Sequence, residues 1–222
     1  EAAGDAFEQF DDFEEFETPG QETVYDPLSG YNRAMTTFND KLYFWVLKPA
    51  ATGYAWVAPQ PVRRSVHRFF KNLGYPVRVV NNLLQLKGEP AADETLRFAF
   101  NSTVGVLGFF DPARNWLNLE PHPEDFGQTL GSYGVGGGFP LVLPFMGPSN
   151  LRDFVGMVPD LFLDPVDYVG GTYTASGLTV YERVNYTSLH LGQYEKLKED
   201  AVDWYIFIRN AYQQNREQAI KE

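Results

Sequence analysis

The sequence predicts an all-α body carrying one glycine-hinged apolar loop. Three observations lead there. Apolar residues return at spacings of three and four between Tyr31 and Ala211, prolines recur about one short helix apart, and no segment alternates apolar and polar residues as a half-buried strand does.

Taken in order, residues 1–24 read as a solvated, disordered linker. From Tyr25 the helical period begins: Tyr31, Met35, Phe38, Leu42 and Trp45 share one face, with Asn32, Arg33, Asp40 and Lys41 mostly off it. Pro49, Pro61, Pro76 and Pro90 each suit a first helical turn, where a missing N–H costs nothing. Val62, Val66, Phe69 and Leu73 form the next stripe, followed by Val77, Val80, Leu83 and Leu84, then by Ala91, Ala92, Leu96, Ala99 and Val104. Seven glycines crowd residues 127–147. Each glycine inside a helix costs about 1 kcal/mol relative to alanine, so a short helix is expected over Glu124–Leu130 and a loop over Gly134–Pro148. The middle of that loop, Phe139–Met146, is apolar enough for a buried strand, yet glycine and proline flank it and proline interrupts it. A mobile apolar flap and a core plug both fit. A helix over Leu151–Val158 follows, then turns at Pro159, Pro165 and Gly170–Gly171. A long last helix closes the chain, with Tyr194, Leu197, Ala201, Trp204, Ile208 and Ala211 in period to near Arg216.

The formal charge of −11 belongs to one end of the chain. Residues 1–26 hold ten acids and no Lys or Arg, which leaves 19 acids against 18 bases in the remainder. Such a balance lacks the basic footprint of a nucleic-acid binder. There is no cysteine, so disulfides, thiolate metal sites and a cysteine nucleophile are excluded. No run approaches the roughly 20 apolar residues of a membrane-spanning helix. Any meeting with a membrane is therefore expected through anchoring or an unusual embedding. With 18 Phe, 13 Tyr and 4 Trp, the chain carries rings enough for an aromatic core or for a polar–apolar boundary.

Chemistry-bearing motifs are scarce. His67, His122 and His190 lack metal-ligand spacing, and the cluster His122-Pro123-Glu124-Asp125 reads as capping and turn residues before it reads as a metal site. Ser132, in Leu130-Gly131-Ser132-Tyr133-Gly134, lacks the first glycine of a nucleophile elbow. The glycine cluster does not spell a dinucleotide fingerprint. No enzyme, metal or cofactor is expected. Two features suit binding instead. Arg64, Arg68 and Lys71 stand at helical spacing opposite Val62, Val66 and Phe69, as a solvated face or as a strip for head groups or an acidic partner. In the loop, Gly136, Gly137, Gly138 and Gly147 would act as hinges for the apolar Leu141, Val142, Leu143 and Phe145, with Arg152 and Asp153 as polar neighbours just beyond.

The chain resembles the MlaA/VacJ outer-membrane lipoproteins. The resemblance rests on Tyr25-Asp26-Pro27-Leu28-Ser29-Gly30-Tyr31-Asn32-Arg33-Ala34-Met35, Phe38-Asn39-Asp40-Lys41, and Val57-Ala58-Pro59-Gln60-Pro61-Val62-Arg63. It continues through Phe69-Phe70-Lys71-Asn72-Leu73, Val80-Asn81-Asn82-Leu83-Leu84-Gln85, Asn101-Ser102-Thr103-Val104-Gly105 and Asp111-Pro112-Ala113. Glu124-Asp125-Phe126-Gly127-Gln128-Thr129-Leu130-Gly131, Leu141-Val142-Leu143-Pro144, Leu151-Arg152-Asp153 and Tyr205-Ile206-Phe207-Ile208-Arg209-Asn210-Ala211-Tyr212 complete it, in consistent order from about Tyr25 to Arg216.

The resemblance implies a single ring-shaped bundle of amphipathic helices over residues 25–222, around a short amphipathic channel in the periplasmic leaflet of the outer membrane. It implies phospholipid as cargo, taken from the outer leaflet and handed to a periplasmic carrier of the MlaC type, and a trimeric porin as companion. Phe38, Asn39 and Asp40 join Leu141, Val142, Leu143, Phe145, Arg152 and Asp153 as expected channel or flap residues. A lipidated cysteine is expected shortly before Glu1, with residues 1–24 as the tether. The reading from a different class is a structural, porin-associated lipoprotein with no lipid path.

Overall fold

A computed structural model describes residues 24–222, so the expected linker lies, apart from Val24, outside the described residues. Helix α1, Ser29–Leu42, passes through a π-helical turn, Tyr43–Leu47, into α2, Lys48–Val57. Pro49 falls where hydrogen-bond spacing returns from π to α, a place that tolerates a missing N–H. Next come α3 (Gln60–Leu73), α4 (Tyr75–Leu84), α5 (Gly88–Thr103) and α6 (Pro112–Leu117). Pro61 and Pro76 sit in the first turns of α3 and α4, as their positions predict. Helix α7 spans Phe126–Ser132, close to the expected Glu124–Leu130. After the hairpin described below come α8 (Leu151–Leu161), a 3-10 turn (Pro165–Tyr168), α9 (Thr172–Leu189), α10 (Gln193–Glu199) and α11 (Trp204–Lys221). The body is helical, as predicted.

Four local expectations need correction. The loop Gly134–Pro148 contains an antiparallel hairpin, β1 (Pro140–Leu143) with β2 (Gly147–Asn150), in which Pro140 faces Asn150 and Leu143 faces Gly147. Its two prolines are tolerated because a two-stranded ribbon has only edge strands. Pro159 lies inside the last turn of α8 rather than at a bend. The Gly170–Gly171 region opens an 18-residue helix, α9, where turns alone were expected. The long final helix is two helices, because Asp203 turns its carboxylate onto the Ile206 N–H at 3.2 Å and starts α11 afresh.

Burial in this fold is partly inverted. The fully buried large side chains include Glu94, Asn32, Asn81, Asn82 and Asn185, while Trp45, Trp56, Leu86 and Phe162 are exposed, Trp56 to 90%. A buried polar side chain needs partners, and these asparagines use theirs to tie elements together. Asn32 on α1 donates to the Pro140 carbonyl at 3.0 Å and accepts from the Val142 N–H at 2.8 Å, pinning the hairpin. Asn81 on α4 donates to Asp160 on α8 at 2.9 Å and accepts from Thr129 on α7 at 2.9 Å. Asn185 on α9 donates to the Arg63 carbonyl of α3 at 3.0 Å.

A buried charge cluster joins α7, α8 and α11. Arg216 grips both oxygens of Asp125, at 2.6 and 2.7 Å, and reaches Asp153 at 3.0 Å. Asp153 also accepts from Arg152 and from the Tyr212 hydroxyl, at 2.8 and 2.7 Å. Gly127 leaves room for this cluster, since a Cβ there would sit 2.5 Å from an Asp153 oxygen; one on Gly156 would sit 2.6 Å from the Gly127 nitrogen, where α7 and α8 cross. Nearby, burial pushes the Asp160 carboxyl up to about 6, against the hydrogen bonds it accepts from the Phe126 N–H and Asn81. A carboxyl whose folded pKa exceeds its unfolded value stabilises the fold below the unfolded pKa, and that stabilisation is lost as pH rises through 6. We therefore expect a urea midpoint that falls between pH 4.5 and 7 and a flatter slope in Asp160→Asn. Equal slopes in the two proteins would refute this.

Candidate functional site

The hairpin tip rests on α1. Asn39 donates to the Leu143 carbonyl at 2.9 Å and accepts from the Phe145 N–H at 2.8 Å, and the Phe38 ring meets Phe145 edge-on at 5.3 Å. Phe145 has a φ of 67°, a strained left-handed conformation for an aromatic residue, and Gly147 follows at 97°. Such strain persists only when its surroundings hold it, which makes the tip a place to look for function. Val142 and Leu143 are buried and Leu141 is half-buried, so the base of the hairpin is packing, while Pro144, Phe145 and Met146 stand exposed at its tip.

Beneath the tip opens a cleft that communicates with solvent. Its walls are largely apolar: Leu42 and Tyr43 from the α1 end, Phe145, Met146 and Pro148 from the hairpin, Tyr186 from α9, Leu197 from α10, and Trp204, Phe207 and Ile208 from α11. Asn39 reaches this cleft; Phe38 supports it from behind Phe145. Asp40 holds the far wall in place, accepting from Lys198 at 2.5 Å and from Tyr194 at 3.1 Å. Burial, reinforced by the Asp40 charge, pushes the Tyr194 phenol well above its ordinary pKa, so it remains a donor. Arg152 and Asp153 are not among the cleft residues: they belong to the buried charge cluster, with Arg152 also donating to the Val135 carbonyl at 3.3 Å. Of the expected hinges, Gly138 and Gly147 have positive φ, and Gly136 and Gly137 lie in the chain leading to β1.

A second cavity, open to solvent, lies among α3, α4, α5 and α6. Arg68 and Lys71 line it, joined by Arg78, Arg97 and Arg114; Arg64, the third member of the expected strip, is exposed elsewhere on α3. Asp111 is the acid in its lining. Burial raises the Asp111 carboxyl, but hydrogen bonds from Asn101 and the Arg114 N–H, with the Arg97 charge, outweigh that and hold it below the usual carboxylate range. The residues of His122-Pro123-Glu124-Asp125 go to ion pairs and caps: His122 to Asp93 at 3.3 Å, Glu124 to Lys87 at 2.6 Å, and Asp125 to the Gln128 N–H and Arg216.

The residues that sequence reasoning missed are those contributed by the chain's second half to the cleft, Tyr186, Phe207 and Trp204 among them. Trp204 and Ile208 were visible as a helical stripe, but a stripe does not say whether it faces a core or a cleft.

Comparison with known proteins follows from this geometry. The profile of the MlaA lipoprotein family matches residues 24–219. A Rickettsia felis protein described as uncharacterized is 32% identical over 199 residues, covering 89% of this chain and 79% of its own length. The intermembrane phospholipid transport system lipoprotein MlaA of Escherichia coli is 34% identical over 200 residues (86% of this chain, 77% of that protein), and that of Haemophilus influenzae is 34% identical over 194 residues with the same coverage. A solved structure, reported as the structural basis for maintenance of bacterial outer membrane lipid asymmetry, superposes with a TM-score of 0.78 at 31% identity, covering 88% of this chain and 99% of that one. With matches along nearly the whole described body, the chain belongs to the MlaA lipoprotein family.

Proposed function

We propose that this protein moves phospholipid in the bacterial outer membrane: held by a lipid anchor in the periplasmic leaflet, it takes mislocalised phospholipid from the outer leaflet and passes it to a soluble periplasmic carrier, in company with a trimeric porin. Its relatives are named as phospholipid transport lipoproteins, and the similar structure concerns outer-membrane lipid asymmetry. The observation that carries the reading here is the apolar cleft beneath a strained hairpin tip. Each methylene of a lipid tail is worth about 0.8 kcal/mol in apolar surroundings, so a two-chain lipid needs a sheltered route, and the cleft offers its tails one. The hairpin tip, Pro144 to Met146, acts as the flap, turning on the glycines before β1 and on Gly147. Transport of this kind makes and breaks no covalent bond.

Exposed Trp45, Trp56, Trp116, Phe110 and Phe162 support contact with lipid, as large exposed rings suit a membrane interface. Among the described residues no helix is long and apolar enough to cross a membrane. The body would therefore sit in a leaflet by its sides, with backbone groups satisfied inside its helices. Native mass spectrometry of the detergent-extracted protein tests the proposal. Phospholipid should co-purify with the wild type, and Leu197→Trp, which fills the cleft from α10, should reduce the lipid-bound fraction at least about fivefold while circular dichroism stays unchanged. Equal lipid content in the two proteins, or none in the wild type, would favour the structural-lipoprotein reading.

A further inference from the structure

The acidic end of the chain is more than a run of charges. Phe7, Phe10, Phe13 and Phe16 stand three residues apart, and Glu8, Asp11, Asp12, Glu14 and Glu15 fill all but one of the positions between them. Segments that stay solvated are poor in aromatic residues, so four phenylalanines within ten residues are apolar surface without an assigned partner. The interleaved acids disfavour an anionic lipid surface as that partner, because like charges repel there.

The point where this segment joins the body lies beside the apolar cleft. Asp26 accepts from Asn32 of α1 at 3.0 Å and from the Tyr205 hydroxyl of α11. The same two helices wall the cleft: Thr36, one turn beyond Asn32, and Trp204, next to Tyr205, both line it. Ten residues separate Phe16 from Asp26 and reach at most about 35 Å, several times the roughly 6 Å from Asn32 to Thr36 along the helix.

The charges at this entry suit an acidic segment. Arg33 and Arg209 lie 5.2 and 5.7 Å from the centre of the Tyr205 ring. Arg33 is paired with Asp203, whereas Arg209 donates to the neutral Asn210 side-chain oxygen at 3.0 and 2.9 Å. Further in, Leu42, Met146, Leu197 and Ile208 offer apolar walls, with Trp204 stacked on Phe207 at 5.7 Å. Phenylalanine rings gain both from burial on such walls and from contact with other rings.

We propose that the Phe7–Phe16 segment is the cleft's own occupant, its phenylalanines seated against the apolar walls, and that a lipid chain displaces it to enter. The docking stands on the tether, the walls and the charge at the entry; the competition rests on the phospholipid reading above. The full chain carrying Phe13→p-benzoylphenylalanine tests the docking: after illumination, peptide mass spectrometry should find adducts within one chain concentrated on cleft residues such as Met146 and Leu197. Dihexanoylphosphatidylcholine, zwitterionic and therefore not repelled by the acids, should lower their yield at least about fivefold. With all four phenylalanines changed to serine, the protein should bind the same lipid at least about tenfold more tightly, since a segment occupying the cleft nine-tenths of the time weakens apparent affinity by that factor. Adducts scattered over other faces would overturn the docking, and adducts joining two chains would give the cleft to a second copy's segment instead. Unchanged lipid affinity in the serine variant would overturn the competition. Lipid binding to neither protein, with adducts still confined to the cleft, would count against the phospholipid reading and uphold the docking.

Discussion

Arg216→Met is expected to destabilise the protein by about 3–5 kcal/mol, the cost of leaving buried charges without their partner. The guanidinium is the shared counter-ion of Asp125 and Asp153, and through them it joins α11 to α7 and α8. For both carboxyls burial acts first, to raise the pKa, and Arg216 with the surrounding donors overrides it, so both are held below the ordinary aspartate value of 3.8. A carboxyl with a depressed folded pKa stabilises the fold above its unfolded pKa, and that contribution is lost as pH falls through the folded value. The wild type should thus lose stability on acidification below about pH 4, a window opposite in sign to the Asp160 contribution. In Arg216→Met the deficit should be largest near neutral pH and shrink on acidification. Arg216→Lys, which keeps the charge and loses the fork, should fall between the two. Chemical denaturation at several pH values measures all three proteins. A deficit below about 1 kcal/mol at pH 7, the range of an exposed ion pair, would show that the cluster does not hold these helices together.

Pinning the hairpin tip to α1 should abolish lipid transfer while leaving the fold intact. Because the chain has no cysteine of its own, Phe38→Cys/Phe145→Cys supplies a unique thiol pair where the two rings now meet at 5.3 Å. Joined by a short cleavable bis-maleimide, the tip would be unable to leave the mouth of the cleft. Transfer of a fluorescent phospholipid from donor vesicles to acceptor protein should fall by at least about tenfold and recover when the linker is cut. The uncrosslinked double variant is the control for loss of the rings themselves. Transfer at the control rate with the linker in place would return the tip to a packing role. Asn39 makes the prediction sharp, since it holds both Leu143 and Phe145 and so already sets the resting position of the tip.

The periodicity of the sequence determined most of the helices, because an amphipathic helix writes its buried face into spacings of three and four. Pro61 and Pro76 marked helix starts for an equally local reason. The Gly136–Pro148 segment was legible as unusual, yet its pairing was not, since β1 buries Pro140, Val142 and also Leu143, which leaves no clean alternation. Helix α9 was hidden by the inversion of burial. Its inward residues include Asn185, Thr187 and Ser188, and its exposed ones include Tyr173 and Val180, so hydrophobicity does not mark the side that packs against α2 and α3. The break before α11 came from one capping aspartate, Asp203, inside an otherwise continuous stripe.

Only the tertiary structure decided which residues form the cleft and the basic cavity. Asp40 meets Lys198 across 158 positions, Asn32 meets the Val142 N–H across 110, and Arg68 faces arginines from three other helices. Arg64, at the same helical spacing, does not line that cavity. The reason is physical. Periodicity records how one element lies against its surroundings, whereas a cavity wall is set by where buried amides, carboxylates and guanidiniums find partners in distant elements, and that choice is made when the elements pack.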